Sequence, residues 1–189
     1  MTRIVAGTVG GRRIDVPPRG TRPTSEKVRE AVFNALESLT DLDGARVLDL
    51  YGGSGALGLE ALSRGAGHVT FVESDKRAVG VLRRNAASLG FRQLRVEQAK
   101  AETAVSAPAP EPFDVVLADP PYDLSQEALQ RVLDGLVAGG WTAPGSVLIV
   151  ERAVRGGEPD WPPPLHEFRV KRYGGTAVHW AAHEETEED

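Results

Sequence analysis

The feature that most constrains the fold is the segment RVLDLYGGSGALGL at residues 46–59. An apolar run reaches the acidic Asp49 and is followed by a glycine-rich stretch, after which an apolar run with helical spacing resumes. Glycine is needed at such a turn where the backbone takes a positive φ or lies against a ligand, and the first amides of the following helix lack partners within it. The segment therefore predicts a strand, a tight loop and a helix that border a nucleotide-sized pocket.

Two kinds of ligand fit this loop. Gly53, Gly55 and Gly58 spell the GxGxxG pattern of dinucleotide-binding folds. The acidic Glu73 follows about 20 residues later, as that pattern requires. However, a carboxylate at Asp49, directly before the loop, would repel a pyrophosphate and would suit a ligand with an amino or sulfonium group. S-adenosylmethionine is therefore the favoured ligand, while a dinucleotide and a turn without ligand function remain alternatives at this point.

Alternating strand and helix patterns fill most of the chain. Strands and helices of this length are typical of a doubly wound parallel sheet, so the predicted fold class is α/β with a mostly parallel, seven-stranded, Rossmann-like sheet. An N-terminal β-hairpin extension is predicted for residues 1–20, the main domain for 21–182, and a disordered acidic tail for 183–189. The predicted sheet strands lie at residues 47–50, 69–72, 94–96, 113–118, 147–150, 168–172 and 177–181.

The composition excludes several kinds of chemistry. The 189 residues include no cysteine, which rules out disulfides, thiolate metal ligands and a cysteine nucleophile. The four histidines show no ligand-like spacing with carboxylates, so no metal site is expected. No apolar run approaches the ~18 residues of a membrane helix, and the N-terminus does not resemble a signal peptide. We therefore expect a cytoplasmic protein without membrane contact, and nothing in the sequence calls for more than a monomer.

Charge is distributed unevenly along the chain. The net charge is −5, and residues 183–189 alone hold five acidic side chains, so the remainder is neutral. Residues 1–30 carry seven basic side chains against three acidic ones. This basic segment is a candidate surface for a polyanion such as RNA, with an ordinary solvated face as the alternative.

The segment LADPPY at residues 117–122 carries a second chemical signal. Ligands of doubly wound sheets bind beyond the carboxyl ends of the central strands, so this segment and the glycine loop are expected to face one crevice. Each proline fixes its own φ and makes the preceding residue extended, which would hold the Asp119 carboxylate and the Pro120 carbonyl side by side. Two such acceptors suit the exocyclic amino group of an extruded base, and Tyr122 offers a ring on which that base can stack.

Together these segments resemble the bacterial small-subunit ribosomal RNA guanine-N2 methyltransferase family. The matching motifs are VLDLYGGSGALGLEALSRGA, FVESD, LADPPY, TRPTSEKVREAVFN and KRYGGT, which extend over nearly the whole chain to about residue 181. The resemblance implies a class I methyltransferase that moves a methyl group from S-adenosylmethionine to the 2-amino group of one guanine in 16S ribosomal RNA. It also implies that the substrate is an assembled or nearly assembled small ribosomal subunit.

The same resemblance implies roles for single residues. Asp119 and Pro120 would hold the guanine amino group, and Tyr122 would stack on the base. The residues implied to hold the cofactor are Asp49, Tyr51, Gly52, Gly53, Ser54, Gly55, Glu73, Ser74, Lys100 and Ala101, with Glu73 on the ribose hydroxyls. The residues implied to meet RNA are Arg12 and Arg13 on the hairpin, and Arg22 and Thr24 in a loop over the site.

Two segments depart from the family pattern. The family usually has an aromatic residue followed by Ala-Gly-Ser-Gly, whereas this chain has Gly52 in place of the alanine. Many class I enzymes have an Asp or Asn after the third strand that accepts from the adenine amino group, but residues 98–101 read QAKA. Adenine contacts are therefore assigned to the backbone of Lys100 and Ala101.

Three other functions fit parts of the sequence. The first is methylation of another amino group, such as adenine N6 in DNA or RNA, because Asp119 and Pro120 do not by themselves choose the base. The second is a nicotinamide-dependent oxidoreductase, which is disfavoured by Asp49 and by the lack of a recognisable proton relay. The third is a non-catalytic ribosome assembly factor, for which the basic segment would be essential and Asp119 dispensable.

Overall fold

The computed structural model describes residues 1–17 and 25–185. The first two strands, β1 (Thr2–Arg3) and β2 (Arg13–Ile14), pair antiparallel as a small separate sheet. The strands of the main sheet are β3 (Arg46–Leu50), β4 (His68–Glu73), β5 (Leu94–Gln98), β6 (Phe113–Ala118), β7 (Thr142–Ala153), β8 (Leu165–Tyr173) and β9 (Thr176–His183). The helices are α1 (Glu26–Leu39), α2 (Ala56–Ser63), α3 (Lys76–Leu89), α4 (Ala101–Ser106) and α5 (Gln126–Ala138), with a 3₁₀ turn at Val154–Gly156.

The main sheet has the order β5-β4-β3-β6-β7-β9-β8. Strands β5, β4, β3, β6 and β7 run parallel to one another, whereas β9 is antiparallel to β7 and β8 is antiparallel to β9. The predicted α/β class with a mostly parallel seven-stranded sheet is therefore confirmed. Strand β7 is much longer than predicted because it pairs with β6 at its start and with β9 up to Ala153.

Helices cover both faces of the sheet. Alternate residues of the central strands enter two separate cores, so Val47 belongs to the core under α1, α2 and α3, and Leu48 to the core under α4 and α5. This double burial explains why the strands are nearly continuous apolar runs instead of alternating ones. Helix α4 was not predicted, because six residues of alanine-rich sequence after a loop give little periodic signal.

The N-terminal hairpin packs against helices α2 and α3. The backbone amides of Val5 and Ala6 donate to the two carboxylate oxygens of Glu60 on α2, at 2.8 and 3.1 Å. The Asp15 amide donates to the side-chain oxygen of Asn85 on α3 at 2.9 Å, and the Asn85 amide group donates back to the Asp15 carbonyl at the same distance. The hairpin is thus joined to the main domain by hydrogen bonds between its backbone and the side chains of Glu60 and Asn85. Strand β9 includes His183, at which the predicted acidic tail begins, and residues 186–189 of that tail lie outside the described residues.

A buried ion network joins the N-terminal segment to two helices. Glu60 accepts from the Arg29 Nε at 3.3 Å and from the Arg64 Nε at 2.9 Å, and the side chains of Glu60 and Arg29 are both 0% exposed. Arg29 on α1 also donates to the Thr2 hydroxyl and to the Arg3 carbonyl. Burial lowers the pKa of the Arg29 guanidinium, and the charge of Glu60 opposes that shift.

We expect Glu60→Ala to lower the free energy of unfolding by about 3–5 kcal/mol, because it leaves the buried Arg29 without its carboxylate and removes the acceptor of two backbone amides. Urea unfolding followed by tryptophan fluorescence measures this change. Glu37→Ala is the matched control, since Glu37 pairs with Arg64 at 3.4 Å but its side chain is 44% exposed. That variant should lose less than about 1 kcal/mol. Equal losses in the two variants would contradict the proposed importance of the buried network.

Candidate functional site

The parallel register places four residues in one row at the carboxyl edge of the sheet. Leu50 pairs with Val72 of β4 and Ala118 of β6, and Ala118 pairs with Val150 of β7. The row formed by the residues that follow these positions is Glu73, Tyr51, Asp119 and Glu151. Three of the four are acidic, so the ligand that fits this edge is a cation or a hydrogen-bond donor.

A cavity of about 270 Å³ opens beside this row. It lies between the glycine loop, the segment after β6 and the turn between β8 and β9. The predicted site residues that line it are Tyr51, Gly52, Gly53, Ser54, Asp119, Pro120 and Tyr122. The structure therefore brings the glycine loop and the Asp-Pro-Pro-Tyr segment together at one cavity.

Several predicted cofactor residues do not line this cavity. They are Asp49, Gly55, Glu73, Ser74, Lys100 and Ala101. Asp49, Gly55 and Ala101 are buried, whereas Ser74 and Lys100 are exposed on the side of the sheet beyond β3. The cavity thus extends from the glycine loop to the carboxyl ends of β6 and β7 and the start of β9. The residues predicted to bind the ribose and the adenine lie outside it.

The glycine loop takes the left-handed backbone conformation at three positions. Gly53 has φ 55° and Gly55 has φ 87°, and the non-glycine Tyr51 has φ 59°. A left-handed tyrosine is strained, and such strain is common at functional sites. The Tyr51 hydroxyl is buried and has no hydrogen-bond partner among the described residues. Burial raises the pKa of Tyr51 above its ordinary value, so this hydroxyl stays protonated and can donate.

Asp49 lies beneath the loop. The residue is 1% exposed, and its Oδ2 accepts from the Gly58 amide of α2 at 3.0 Å. Burial raises its pKa well above the ordinary value, and the charges of Asp119 and Glu73 raise it further, although the Gly58 hydrogen bond opposes the shift. In this structure Asp49 joins strand β3 to helix α2 through the Gly58 amide. Its predicted role in holding the cofactor stays a prediction.

Glu73 connects the loop to the next helix. One of its carboxylate oxygens accepts from the Gly53 amide at 2.9 Å and the other from the Asp75 amide at 2.7 Å. Asp75 is the N-cap of α3, where its side chain accepts from the Arg77 amide. Glu73 thus orders two loop segments at the edge of the crevice, and its half-buried carboxylate has lone pairs left for a ligand hydroxyl.

The Asp-Pro-Pro-Tyr segment presents acceptors and an aromatic ring. Asp119 is half-buried, Pro120 is buried, and Tyr122, which also lines the cavity, is 78% exposed. The Pro121 carbonyl accepts from the Leu124 amide at 3.0 Å, which closes the segment into a turn.

Sequence reasoning missed a second set of residues at the cavity. They are Glu151, Arg152 and Ala153 at the end of β7, Tyr173, Gly175 and Thr176 at the β8–β9 turn, and Val16, Ser25 and Val28 near the N-terminus. Arg152 is 5% exposed and donates to the carbonyls of Leu124 and Gly156 at 3.2 and 2.8 Å, so it fixes the turn after β6 to the end of β7. The signal for the turn was present in the KRYGGT motif, but no pattern singled out Glu151 or Arg152.

The predicted RNA-facing arginines of the hairpin are exposed. Arg12 donates to the Ser88 carbonyl at the end of α3, at 2.8 Å, and Arg13 lies 4.0 Å from the sulfur of Met1. The other two predicted RNA-binding residues, Arg22 and Thr24, lie outside the described residues. Within residues 1–17 and 25–185, no three His, Asp or Glu side chains are arranged so that they could hold a metal ion together. In the same residues, none of the helices has the length and apolarity to cross a membrane.

Comparison with known proteins identifies the family. Residues 2–182 match the family described as Conserved hypothetical protein 95. Ribosomal RNA small subunit methyltransferase D of Escherichia coli K12 is 36% identical over 176 residues, which is 93% of this chain and 86% of that protein. The protein of the same name from Haemophilus influenzae is 36% identical over 155 residues, covering 79% of this chain and 77% of its own length. The chain belongs to this family.

Solved structures agree with the family assignment. The E. coli protein yhhF superimposes with a TM-score of 0.87 at 33% identity, covering 97% of this chain and 98% of that one. The Thermus thermophilus protein TTHA0928 has a TM-score of 0.78 at 28% identity, covering 95% and 98%. The suspected resemblance is thus confirmed, and the chain is a methyltransferase. A magnesium protoporphyrin IX methyltransferase solved with bound S-adenosylmethionine shares the fold, with a TM-score of 0.66 at 16% identity over 84% of this chain and 79% of its own.

Asp49 gives this methyltransferase a testable pH dependence. The folded protein retains the Asp49 proton above pH 3.8, the ordinary pKa, at which the unfolded chain releases it. The free energy of unfolding therefore falls as pH rises from that value toward the raised pKa of the folded state. An asparagine at this position cannot ionise, and its side-chain oxygen can still accept from the Gly58 amide. We expect Asp49→Asn to unfold at a higher temperature than the wild type at about pH 8, with the difference shrinking toward about pH 4.

Differential scanning calorimetry across this pH range measures the effect. The exposed Asp160 provides the matched control, and Asp160→Asn should track the wild type at every pH. If the wild type instead unfolds at a higher temperature than Asp49→Asn at about pH 8, the buried carboxylate stabilises the fold, contrary to our expectation.

Proposed function

We propose that this methyltransferase transfers the methyl group of S-adenosylmethionine to the N2 amino group of a guanine in 16S ribosomal RNA. The substrate is an assembled or nearly assembled small subunit, and the reaction takes place in the cytoplasm. The observation that carries the proposal is the pair of acceptors at Asp119 and Pro120, which share one cavity with the glycine loop. Relatives also support the proposal, because two proteins that are 36% identical to this chain are named as methyltransferases of the small-subunit ribosomal RNA.

The residues around the loop fit S-adenosylmethionine. The acidic row at the sheet edge suits a ligand with a sulfonium and an ammonium group, which a dinucleotide lacks. The methionine part would lie along residues 51–55, next to the start of α2. Glu73 would accept from the ribose hydroxyls with the lone pairs that Gly53 and Asp75 leave unused. The backbone of Lys100 and Ala101 would border the adenine. When bound, the cofactor supplies an electrophilic methyl group.

The chain's own groups prepare the nucleophile. The lone pair of a guanine amino group is delocalised into its ring, so the nitrogen attacks poorly when it is planar. Hydrogen bonds from the amino group to the Asp119 carboxylate and the Pro120 carbonyl draw the nitrogen toward tetrahedral geometry and direct its lone pair away from the acceptors. Methylation would leave N2 with a positive charge. The Asp119 carboxylate is placed to stabilise that charge and to accept the proton that N2 then loses.

The target base has to leave its stack to reach this cavity. Enzymes that act on bases commonly extrude them and hold them against aromatic side chains. Tyr122 offers such a ring, because it is 78% exposed beside Asp119 and Pro120. The basic hairpin with Arg12 and Arg13 would contact the phosphate backbone around the extruded base, together with Arg22 and Thr24.

The role of Asp119 is tested by Asp119→Ala. We expect kcat to fall at least about a hundredfold, because the acceptor acts in the transition state, while the affinity for S-adenosylmethionine changes less than about threefold. Transfer of labelled methyl to small subunits that lack the modification gives kcat, and calorimetry gives cofactor affinity. Naked 16S RNA is assayed in parallel, and nucleoside analysis distinguishes N2-methylguanosine from N6-methyladenosine. Asp123→Ala, an exposed residue four positions later, is the control and should keep wild-type activity. Near wild-type kcat in Asp119→Ala would exclude the proposed role.

Base stacking is tested by Tyr122→Ala and Tyr122→Phe. Loss of a stacking ring costs about 1–3 kcal/mol, so the alanine variant should raise KM for small subunits by about 5- to 150-fold. The phenylalanine variant keeps the ring and should retain the wild-type KM. Because Tyr122 is exposed, neither change should shift the free energy of unfolding by more than about 0.5 kcal/mol. A KM that rises equally in both variants would point to the hydroxyl group instead of stacking.

A further inference from the structure

Glu151 lies next to Asp119 in the acidic row. It belongs to β7, its residue is 7% exposed, and it lines the same cavity as Asp119 and Pro120. The Cα pairing of Ala118 with Val150 makes Asp119 and Glu151 the next neighbours on adjacent parallel strands. The two carboxylates are therefore presented side by side at the same level of the crevice.

The two acids also point to the same face of the sheet. Leu117 of β6 and Ile149 of β7 both enter the core under α1, α2 and α3. Side chains two residues apart on a strand share a face. Asp119 and Glu151 are therefore on the same face as Leu117 and Ile149, which is the face covered by α1, α2 and α3. Arg152 falls on the opposite face with Leu148 and Val150 of the second core, where it donates to the Leu124 and Gly156 carbonyls.

Neighbouring strands lie about 4.8 Å apart, so the carboxylates start from backbones separated by roughly that distance. Two acceptors at this spacing match a ligand edge with two adjacent donors better than one with a single donor. The edge of guanine that carries the N2 amino group has this property, because the neighbouring ring atom N1 bears a hydrogen. In adenine, the ring atom beside the N6 amino group is an unprotonated nitrogen with a lone pair.

We propose that Glu151 selects guanine. Its carboxylate accepts from N1–H while Asp119 and Pro120 accept from the N2 amino group, and the same carboxylate repels the N1 lone pair of adenine. The inference rests on the proposed function and adds to it the residue that determines the base, since Asp119 and Pro120 can hold any exocyclic amino group. A carboxylate can accept several hydrogen bonds at once, so this role is compatible with other partners of Glu151.

The test compares guanine with 2-aminopurine, which has the same 2-amino group but an unprotonated N1. Small subunits are assembled with RNA that carries either base at the position the wild-type enzyme labels, and the two substrates compete in one reaction. We expect the wild type to prefer guanine by at least about tenfold in kcat/KM, because 2-aminopurine leaves the Glu151 carboxylate facing a lone pair. In Glu151→Gln the amide can donate to that lone pair, so the preference for guanine should fall at least about tenfold. The kcat/KM for the 2-aminopurine substrate should rise measurably.

Glu151→Asp keeps the charge and should retain the preference for guanine at a lower rate. Glu127→Gln, an exposed residue on α5, is the control and should leave the ratio at the wild-type value. If the wild type labels no guanine N2, the proposed function itself fails. If it labels guanine but accepts 2-aminopurine equally, or if Glu151→Gln keeps the wild-type ratio, the selection role is wrong while the proposed function stands. The wild-type comparison requires no variant, so a Glu151 variant that fails to fold does not leave the proposal undecided.

Discussion

The buried Glu60 carboxylate is the interaction on which the site's architecture depends. It accepts from Arg29 of α1, from Arg64 of its own helix and from two backbone amides of the N-terminal segment. Helix α2, which carries Glu60, begins directly at the glycine loop. The N-terminal side contributes Val16 and Val28 to the cavity wall. One buried acid therefore holds together the loop proposed to meet the cofactor and the segment that closes the opposite side, so the hairpin is a structural part of the site.

The glycine pattern illustrates why a motif can fit two ligands. A Cβ at Gly58 would lie 2.2 Å from the ring of Phe71 on β4, so the third glycine is required for close contact between helix and strand. The Gly58 amide also donates to Asp49. Both constraints concern packing of α2 on the sheet, which dinucleotide-binding and methyltransferase folds share. The ligand is distinguished instead by the acids at the strand ends, which the glycines do not report.

The sequence predicted the central strands of the sheet well, because these strands are buried on both faces and therefore form continuous apolar runs. It also predicted that the glycine loop and Asp119 would approach each other, since topology alone brings adjacent strand ends together. It failed for Glu60 and Arg29, which look like ordinary polar residues of amphipathic helices until their mutual burial is seen. Glu151 was missed for a related reason. A charged residue after an apolar run is also typical of an exposed strand end, and only the register of β6 and β7 reveals its neighbour.

The distribution of charge reconciles an acidic protein with an RNA substrate. Four acids lie at the sheet edge, where Asp49 is buried, Asp119 and Glu151 line the cavity, and Glu73 lies outside it. Phosphates are repelled from such a crevice, whereas a cationic cofactor and the donor edge of an extruded base are attracted. The arginines of the hairpin are exposed outside it, where the nucleic-acid backbone would pass. Because only an extruded base escapes the repulsion, the same charges that would bind the cofactor also restrict which part of the RNA can enter.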